Sequence, residues 1–419
     1  MSAQSPTLTE TVRIERLIHG GNGLARLANG RVVFVPWTVP GDMAEITVED
    51  MGKKKPPAVT LRQVEKSSDD RITPRCSVFE KCGGCQWQHV ADTAQGHWKR
   101  EIVSESIRRL GKLPDVPVND VISSTSWEYR NNVQWFVANN QLGYYQHQSH
   151  NVVPFEHCHL VSEEINALKQ WLESNPEFLS GLTQVQVRSN TQNELLLVLE
   201  GEKSPELPLL QALASASPAI KGVVLNNKTA EETLVGQNYL EQTLAGKTFR
   251  VSAQSFFQTN PQIAERLIEA MAGCLPEDKS GSLIDLYTGV GTFAVAFADN
   301  FKTIVGVESA PVAIEDARHN IGGKNIELFA GTSKEAIKTL QQKFDTAIID
   351  PPRAGVEPPV LAWISENVAK TLLYVSCDPA TLARDLAVLS EAGWQIDVVQ
   401  PFDMFPQTWH VETLVKLSR

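Results

Sequence analysis

The spacing of apolar and polar residues changes along the chain and predicts three regions. Up to residue 66, short alternating runs are broken by Gly20-Gly21, Asn29-Gly30 and Pro40-Gly41, which is typical of a small β-barrel. Residues 129–250 mix strand-like and helical runs, which indicates an α+β domain. Beyond residue 250, continuous apolar runs alternate with helical patterns. Such alternation predicts a Rossmann-like parallel sheet covered by helices.

Two of the C-terminal strands end in residues that can do chemistry. The run LLYVSCDP carries Cys377 at its tip, and AIIDPPR carries Asp350 at the tip of an earlier strand. Ligands of open parallel sheets bind outside the carboxyl ends of the strands, so both residues are candidates for a reaction site. A cysteine is intrinsically nucleophilic even when little of it is ionised, whereas the structural alternative is a small buried residue.

A glycine turn precedes these strands. The segment SLIDLYTGVGTFAVAFA reads as a strand, a turn with Gly289 and Gly291, and a helix. Glycines there let the backbone approach a ligand closely, and the helix N-terminus favours polar groups. Glu308 closes the next strand 19 residues after Gly289, where an acidic side chain can meet ribose hydroxyls. This pattern alone also fits a nicotinamide-dinucleotide site or a plain tight turn.

Five segments together are more specific. FFQTN, DLYTGVGTF, DPPR, YVSCDP and the terminal MFPQTWHVE occur in the order and rough spacing found in RNA uracil-5 methyltransferases. The chain resembles that family over nearly its full length. It is most similar to the bacterial members that methylate 23S ribosomal RNA and combine a TRAM domain with a [4Fe-4S] cluster.

The resemblance implies a reaction and assigns roles. S-adenosyl-L-methionine is the expected methyl donor, Cys377 the nucleophile that adds to uracil C6, and Glu412 the base that removes the C5 proton. Asp350 is expected to contact both cofactor and uracil, and Gln258 to lie near both. The remaining expected cofactor residues are Asp285, Tyr287, Gly289, Gly291 and Glu308.

Local patterns agree in part with these roles. Alternation along HVETLVKL predicts a terminal strand that places His410 and Glu412 on one face, although a lone acid at a strand end is more often simply solvated. Thr288 stands where family members commonly have cysteine, which should matter little if the turn binds through its backbone. Gly331-Thr332 offers no acid for the adenine, so the adenine contacts stay unassigned.

Four cysteines in the N-terminal half suggest a metal site. Cys76, Cys82 and Cys85 form C-x5-C-x2-C, and Cys158 follows in PFEHCHL. The spacing fits an iron–sulfur cluster or zinc. No secretory signal or transmembrane run opens the chain, so we expect a reducing cytoplasm, no membrane association and no disulfides. The resemblance selects a [4Fe-4S] cluster, whereas Cys274 lies in an apolar helical run and is expected to be inert.

The resemblance also predicts the domain boundaries. The first 68 residues resemble a TRAM domain through GGNGLAR, GRVVFVP and PGD, the alternative being a spacer barrel with no ligand. Residues 69–92 and 125–250 would form the central domain with the iron–sulfur site and the RNA cleft. Residues 93–124 and 251–419 would form the methyltransferase domain, with a helix over 93–110 packed on it. We expect a monomer.

Charge restricts where RNA could bind. The net charge is −11, yet the first 113 residues carry 17 Lys/Arg against 13 Asp/Glu. Since phosphate binding relies on clustered cations, a restricted basic surface is required. Its candidate members are Lys53–Lys55, Arg62, Arg71, Arg75, Lys81 and Arg130. Two alternatives stay open: a transfer RNA uracil-5 methyltransferase, and an RNA-binding protein with the same fold and no activity.

Overall fold

The computed structural model describes residues 7–49, 57–227 and 230–419. Its N-terminal unit is a five-stranded antiparallel sheet in the order β3-β2-β1-β4-β5. The edge strands β3 and β5 approach each other, so the sheet curls towards the predicted barrel. Its strands are β1 (Thr7–Leu17), β2 (Gly23–Arg26), β3 (Val32–Val35), β4 (Met43–Glu49) and β5 (Ala58–Lys66).

A loop over residues 67–91 leads from β5 to helix α1 (Asp92–Arg109), one residue earlier at each end than the sequence pattern predicts. Although α1 follows the N-terminal unit, Val103 and Ile107 are buried in the core of the C-terminal sheet. The helix therefore packs on the C-terminal domain, as expected. Within the described part of the chain, no helix is both long enough and apolar enough to cross a membrane.

The central unit is a seven-stranded mixed sheet in the order β12-β11-β10-β9-β6-β7-β8. Helices cover it because the apolar residues of its strands need a buried face. Its strands are β6 (Asn132–Ala138), β7 (Gln141–Tyr145), β8 (Val152–Pro154), β9 (Leu182–Ser189), β10 (Leu195–Gly201), β11 (Ile220–Asn226) and β12 (Glu231–Gly236). Its helices are α2 (Glu163–Ser174), α3 (Leu207–Ala216) and a 3-10 turn at Pro176–Leu179.

A hairpin joins the central and C-terminal units. Strands β13 (Tyr239–Leu244) and β14 (Lys247–Ser252) pair only with each other. Leu240 packs on the central sheet, whereas Phe249 and Val251 belong to the C-terminal core. The predicted boundary at residue 250 falls within this hairpin, which contacts both units, and the domain division stays a prediction.

The C-terminal sheet has the order β17-β16-β15-β18-β19-β21-β20, parallel except for the antiparallel strand β21. This is the predicted Rossmann-like arrangement. Its strands are β15 (Ser282–Leu286), β16 (Thr303–Glu308), β17 (Ile326–Ala330), β18 (Phe344–Ile349), β19 (Val368–Ser376), β20 (Gln395–Phe402) and β21 (Glu412–Ser418). Its helices are α4 (Pro261–Cys274), α5 (Thr292–Ala296), α6 (Pro311–Ile321), α7 (Ser333–Thr339), α8 (Pro358–Asn367) and α9 (Pro379–Glu391), with a 3-10 turn at Ala298–Asn300.

Candidate active site

The strand order brings the candidate residues to one edge of the sheet. Strand β15 lies between β16 and β18, so the chain reverses its direction across the sheet at this point. Such a switch point opens a crevice at the carboxyl ends of the strands. The glycine turn follows β15, Asp350 follows β18 and Cys377 follows β19. The parallel sheet therefore gathers the predicted residues as expected.

Cys377 and Glu412 lie at the ends of two neighbouring strands. Ser376 at the end of β19 pairs with Thr413 in the antiparallel strand β21. Cys377 directly follows Ser376 and Glu412 directly precedes Thr413, so the two residues come next along this register. The charge of Glu412 acts on the Cys377 thiol, so the thiol and the carboxyl are neighbours. The following helix α9 is capped by Asp378, which accepts hydrogen bonds from two helix amides.

The electrostatics of this site confirm that the acidic groups lie close together. Burial raises the pKa of Glu412 well above its usual value, and Asp350 raises it further. Burial, followed by the charge of Asp285, raises the pKa of Asp350 to about 7. Burial raises the pKa of Cys377 to about 12, with Glu412 and Asp350 adding to the shift and Arg353 opposing it. The thiol is therefore protonated at neutral pH in the protein without ligands.

One oxygen of the Glu412 carboxyl is buried and unpaired within the described part of the chain. Its side chain is almost wholly buried, and among the described residues Glu412 Oε1 has no hydrogen-bond partner. Buried acceptors are nearly always paired, so an orphaned carboxylate oxygen points to a missing ligand or a functional role. The strand predicted over HVETLVKL begins only at Glu412, so His410 lies in the preceding loop and its position on one face with Glu412 stays a prediction.

The glycine turn has an internal polar network. Asp285 is fully buried, and its Oδ2 accepts hydrogen bonds from Thr288 Oγ1 at 2.5 Å and from the amide of Ala294 at 3.0 Å. Burial raises the pKa of Asp285 to about 7. Asp285 Oδ1 is buried without a partner among the described residues. The Asp285 side chain thus ties the turn to α5, and Thr288 has a side-chain role that the sequence did not suggest.

Glu308 also binds backbone amides. Its Oε2 accepts from the amide of Gly289 at 2.9 Å, and its Oε1 accepts from the amides of Ser309 and Ala310 at 2.7 Å each. The acid therefore stands at the end of β16, as predicted, and holds the turn after β15. A ribose hydroxyl that donates to Glu308 would share the two carboxylate oxygens with these three backbone amides.

The turn fits the close approach of a cofactor. Gly289 and Gly291 have φ values of 58° and 86°, which favour glycine. A Cβ atom built on Gly289 would meet nothing within 4 Å, so the turn is open on that side. Tyr287 adopts φ 66°, which is uncommon for a residue with a side chain. These features fit an S-adenosyl-L-methionine site, with an uncovered backbone at Gly289.

The FFQTN segment is held by two asparagines. Asn131 Nδ2 donates to the carbonyl of Gln258 at 3.1 Å, and the Asn131 amide donates to the carbonyl of Thr259 at 3.0 Å. The buried Asn260 caps α4 and also donates to the carbonyl of Met404 at 3.3 Å. Both asparagines were missed from the sequence, because their partners are distant along the chain.

The four candidate cysteines line one cavity of about 660 Å³. The amide of Gly83 donates to the carbonyl of Tyr145 at 2.9 Å, and Cys82 forms an isolated β-bridge with Gln146. The cysteine loop, residues 76–91, therefore docks on the β7–β8 hairpin. All six cysteines of the chain are free thiols. Burial raises the pKa of Cys82 to about 11, and the neighbouring Cys158 and Cys76 raise it further.

The donor set fits a thiolate-bound metal group. Four thiols on one cavity offer the ligands that iron–sulfur clusters and structural zinc use. Within residues 7–49, 57–227 and 230–419, however, no group of three or more His, Cys, Asp or Glu is arranged so that it could hold a metal ion. The ligand types are thus present, whereas the iron–sulfur site itself stays a prediction.

The same cavity reaches the loop before Glu412. Besides the cysteines, its walls include Arg353, whose charge acts on Cys377, and Phe405, Thr408 and His410 of that loop, whereas Cys377 and Glu412 themselves are not among the lining residues. Among the described residues, no Asp or Glu lines it. In a chain of net charge −11, this cavity therefore suits a negatively charged polymer.

The N-terminal unit docks beside the ends of β19 and β21. His19 Nε2 lies 3.5 Å from Asp378 Oδ2, and the His19 ring packs edge-on against Trp409. Trp87 Nε1 donates to the carbonyl of Gly21 at 3.0 Å. A second groove, lined by Phe34, Trp37 and His147 among others, runs between the N-terminal unit and the central domain.

The expected basic surface needs one correction. Arg71 forms an ion pair with the buried Asp42, with Arg71 Nη2 2.6 Å from Asp42 Oδ2, and also donates to the carbonyl of Trp37. Its charge is therefore used inside the protein to fix the N-terminal unit. Arg75 lies over the ring of Trp127, whereas Lys53–Lys55 lie outside the described residues.

Comparisons with known proteins agree with this arrangement. The family model described as tRNA (Uracil-5-)-methyltransferase matches residues 112–340 and 332–419. The TRAM domain model matches residues 8–54. Both matches fall on the regions for which the sequence motifs predicted them.

Full-length relatives are also similar. An uncharacterized RNA methyltransferase of Clostridium acetobutylicum is 35% identical over 95% of this chain and 94% of its own length. Another, from Thermosynechococcus vestitus, is 34% identical over 100% of both chains. The solved structure of the Pyrococcus abyssi tRNA (uracil-54, C5)-methyltransferase with S-adenosyl-L-homocysteine covers 97% of this chain and 100% of its own, with a TM-score of 0.75 and 23% identity.

Proposed function

Because this chain belongs to the tRNA (uracil-5-)-methyltransferase family of S-adenosylmethionine-dependent RNA-modifying enzymes, we propose that it methylates C5 of one specific uridine, with 23S ribosomal RNA as the favoured substrate. The observation that carries the proposal is the register that sets Cys377 opposite Glu412 beside the open glycine turn. A nucleophile and a base on one face are what the reaction requires.

Cys377 is the proposed nucleophile. Uracil C5 is a poor nucleophile, whereas C6 is the electrophilic end of an enone. Addition of the Cys377 thiolate to C6 turns C5 into an enolate carbon that can attack a methyl group. Burial and the neighbouring acids raise the pKa of Cys377, whereas Arg353 opposes this shift, and the N-terminus of α9, which begins two residues later, also favours the thiolate.

Glu412 is the proposed base. After C5 has been methylated, it still carries its proton, which must leave before the bond to Cys377 can break. Burial raises the pKa of Glu412, so its ionised form binds a proton strongly. Its orphaned Oε1 supports this role, because the oxygen is already desolvated and has no partner to release.

The cofactor would be held at the glycine turn. S-adenosyl-L-methionine, when bound, supplies an electrophilic methyl group. Gly289 and Gly291 would let it approach the backbone, and Glu308 would bind its ribose. Tyr287 and Asp285 would shape the turn. Asp350, which follows β18 at this crevice, would contact both the cofactor and the uracil, and Gln258, in the loop between β14 and α4, would lie near both.

We propose in addition that Cys76, Cys82, Cys85 and Cys158 hold a [4Fe-4S] cluster. Their position on one cavity and their free thiols support it. A reducing cytoplasm, where the RNA substrates occur, would keep these thiols available. Since methyl transfer is not redox chemistry, the cluster's role would be to organise this region.

The target distinguishes two candidate enzymes. The combination of a TRAM domain with four cysteines favours ribosomal RNA, because it resembles the bacterial ribosomal RNA enzymes. A transfer RNA target is the second candidate, because the Pyrococcus abyssi transfer RNA enzyme has the same overall architecture. A non-catalytic RNA-binding protein would have no need for Cys377 and Glu412 to face each other. We expect the enzyme to act as a monomer.

The deciding experiment maps 5-methyluridine in ribosomal and transfer RNA of a strain that lacks this protein. Loss of one modified site in 23S ribosomal RNA, restored by the wild-type gene and not by Cys377→Ala, is the expected result. Loss confined to transfer RNA would select the second candidate. Unchanged 5-methyluridine in both RNA classes would contradict the proposal.

A further inference from the structure

The loop between β20 and β21, residues 403–411, is held by its carbonyl groups. Four successive carbonyls each accept a hydrogen bond from a group outside the loop. The donors are Asn260 Nδ2 to Met404 at 3.3 Å, Lys99 Nζ to Phe405 at 3.0 Å, Tyr129 Oη to Pro406 at 3.0 Å, and the amides of Gln86 and Trp87 to Gln407 at 3.1 and 3.0 Å. These donors come from α1, the cysteine loop and both larger domains. The loop is therefore a meeting point of separate parts of the chain.

Gln407 is the most constrained residue of this loop. It is fully buried and has φ 69°, a conformation that costs a residue with a side chain about 1–2 kcal/mol. Its amide donates to Gln95 Oε1 at 2.9 Å, its Oε1 accepts from Gln95 Nε2 at 3.1 Å, and its Nε2 donates to Asp92 Oδ1 at 3.0 Å. Strained backbone persists only where the surroundings enforce it, and it is concentrated at functional sites.

The 403–411 loop lies between the cysteine loop and the ends of β19 and β21, where Cys377 and Glu412 are located. Phe405, Thr408 and His410 line the cavity that the four cysteines also line. The loop also contacts the segment after the cysteines. Gln86 and Trp87 directly follow Cys85, and the backbone amides of both donate to the Gln407 carbonyl. A shift of the cysteine loop must therefore break these two bonds or move the cavity wall with it.

We propose that Gln407 is a positioning residue that couples the cysteine loop to Phe405, Thr408 and His410, the part of the cavity wall that immediately precedes Glu412. The proposal rests on the function proposed above and deepens it. The cysteine loop then does more than stabilise the fold, because its geometry sets the position of Phe405, Thr408 and His410. The Gln407 carbonyl bonds to Gln86 and Trp87 transmit the coupling, and the side-chain bonds to Gln95 and Asp92 hold the Gln407 backbone where it can make them, so no contact between Gln407 and the RNA is needed.

Gln407→Gly is the sharpest test. Glycine adopts the left-handed backbone without strain, so the variant removes only the side-chain bonds to Gln95 and Asp92. Gln95→Ala removes both bonds between Gln95 and Gln407, together with the bonds from Gln95 Nε2 to the carbonyls of Trp87 and Val90, and leaves the Gln407–Asp92 bond and the loop sequence intact. Gln192→Gly, an exposed position in the tight turn between β9 and β10, is the control.

Two measurements separate the coupling from the chemistry. In hydrogen exchange of the full-length protein, Gln407→Gly should speed exchange in residues 85–91 and 403–411 together and leave β19 protected. With RNA that carries 5-fluorouridine at the target, covalent adduct formation should slow at least tenfold while affinity for S-adenosyl-L-homocysteine stays within twofold. A general loss of structure would instead lower the cofactor affinity as well.

Faster exchange in residues 403–411 alone, with residues 85–91 unchanged, would overturn the coupling. Adduct formation at the wild-type rate in Gln407→Gly would overturn the positioning role. If the wild-type protein itself forms no adduct, the proposed function fails, and the exchange measurement still decides the coupling. Gln95→Ala should reproduce both effects, and an unaltered exchange pattern there would count against the role of the Gln407 side chain.

Discussion

Cys377 and Glu412 come next along the register beyond the Ser376–Thr413 pair of β19 and β21. Their separation along the chain is 35 residues, and the antiparallel register of β21 brings them together. Burial raises the pKa of both groups, and Glu412 adds to the shift of Cys377, whereas Asp350 adds to the shift of Glu412. Glu412 therefore influences Cys377 before any RNA binds, and their roles in the proposed reaction can be separated by their order of action.

Substitution of the two residues should stop the reaction at different stages. Cys377→Ala should abolish turnover and any covalent protein–RNA species, because no thiolate can attack C6. Glu412→Gln should still allow attack and methylation, and should then accumulate RNA attached through Cys377, because the C5 proton cannot leave. Denaturing gels with labelled RNA measure the adduct directly.

Substrate and protein controls make this comparison decisive. RNA with 5-fluorouridine at the target should trap the wild-type enzyme as an adduct, since fluorine cannot leave as a cation. Cys274→Ala should behave as wild type, because Cys274 lies at the end of α4, away from the candidate residues. An adduct that persists in Cys377→Ala would transfer the role of nucleophile to another residue.

The proposed [4Fe-4S] cluster predicts the iron and sulfide content of the purified protein. Anaerobically purified protein should be brown and contain about four irons and four sulfides per chain. Cys82→Ser should lose most of the iron and weaken RNA binding more than cofactor binding, because the cysteine loop lies on the cavity wall. Cys274→Ser is the matched control and should keep its iron. Colourless protein with one zinc per chain would contradict the cluster.

The positions of the strand tips could be predicted from the sequence, whereas the polar contacts around them could not. Parallel strands end at one edge, so Asp350 and Cys377 had to be close once the sheet was recognised. Asp285 was expected to bind the cofactor, and the structure shows that one of its oxygens binds Thr288 and Ala294. Such local hydrogen bonds depend on the exact path of the turn.

Long-range polar pairs had no signal in the sequence. Gln95 and Gln407 are 312 residues apart, and Lys99 and Asp403 are 304 apart. Arg71 looked like part of a phosphate-binding surface, yet it pairs with Asp42 inside the protein. A single sequence gives no information on which charged residue is buried with a partner, because partner choice depends on how the domains dock.

Phe34 offers a test of the groove beside the N-terminal unit. It is 41% exposed although it is apolar, and it lines the groove with Trp37 and His147. Aromatic side chains in such grooves stack on nucleic acid bases, worth about 1–3 kcal/mol per base. Phe34→Ala should therefore weaken RNA binding about 5- to 150-fold in filter-binding or anisotropy titrations. Leu207→Ala, which is 65% exposed at the start of α3, should leave the affinity unchanged.

The buried pair of Lys99 and Asp403 predicts a large effect on stability. Lys99 is fully buried, contacts the Asp403 carboxylate and lies 5.8 Å from the centre of the Trp87 ring. Lys99→Met should lower the free energy of unfolding by about 3–5 kcal/mol, because it leaves a buried carboxylate unpaired. The double variant Lys99→Met/Asp403→Leu should recover much of that loss in urea titrations. Equal stability of the single and double variants would show that Asp403 is neutral in the folded protein.

Asp350 should make the ligand-free protein less stable as the pH rises. Burial and the nearby Asp285 raise its pKa to about 7, whereas an aspartate in the unfolded chain titrates near 3.9. Between roughly pH 4 and 7 the folded protein therefore binds more protons than the unfolded chain, so the free energy of unfolding falls as the pH rises through this window.

Asp350→Asn removes this titration and should raise the melting temperature at pH 8, with little change near pH 4. Thermal melts of both proteins across this range measure the difference, which should grow up to about pH 7 and then stay constant. Asp345→Asn is the opposite control, because hydrogen bonds from Lys370 and Ser282 lower the pKa of Asp345. That substitution should cost stability at pH 8, since the ionised carboxylate is the form that the fold stabilises. A melting-temperature difference between wild type and Asp350→Asn that is the same at pH 4 and pH 8 would mean that Asp350 does not titrate with a raised pKa in the ligand-free protein.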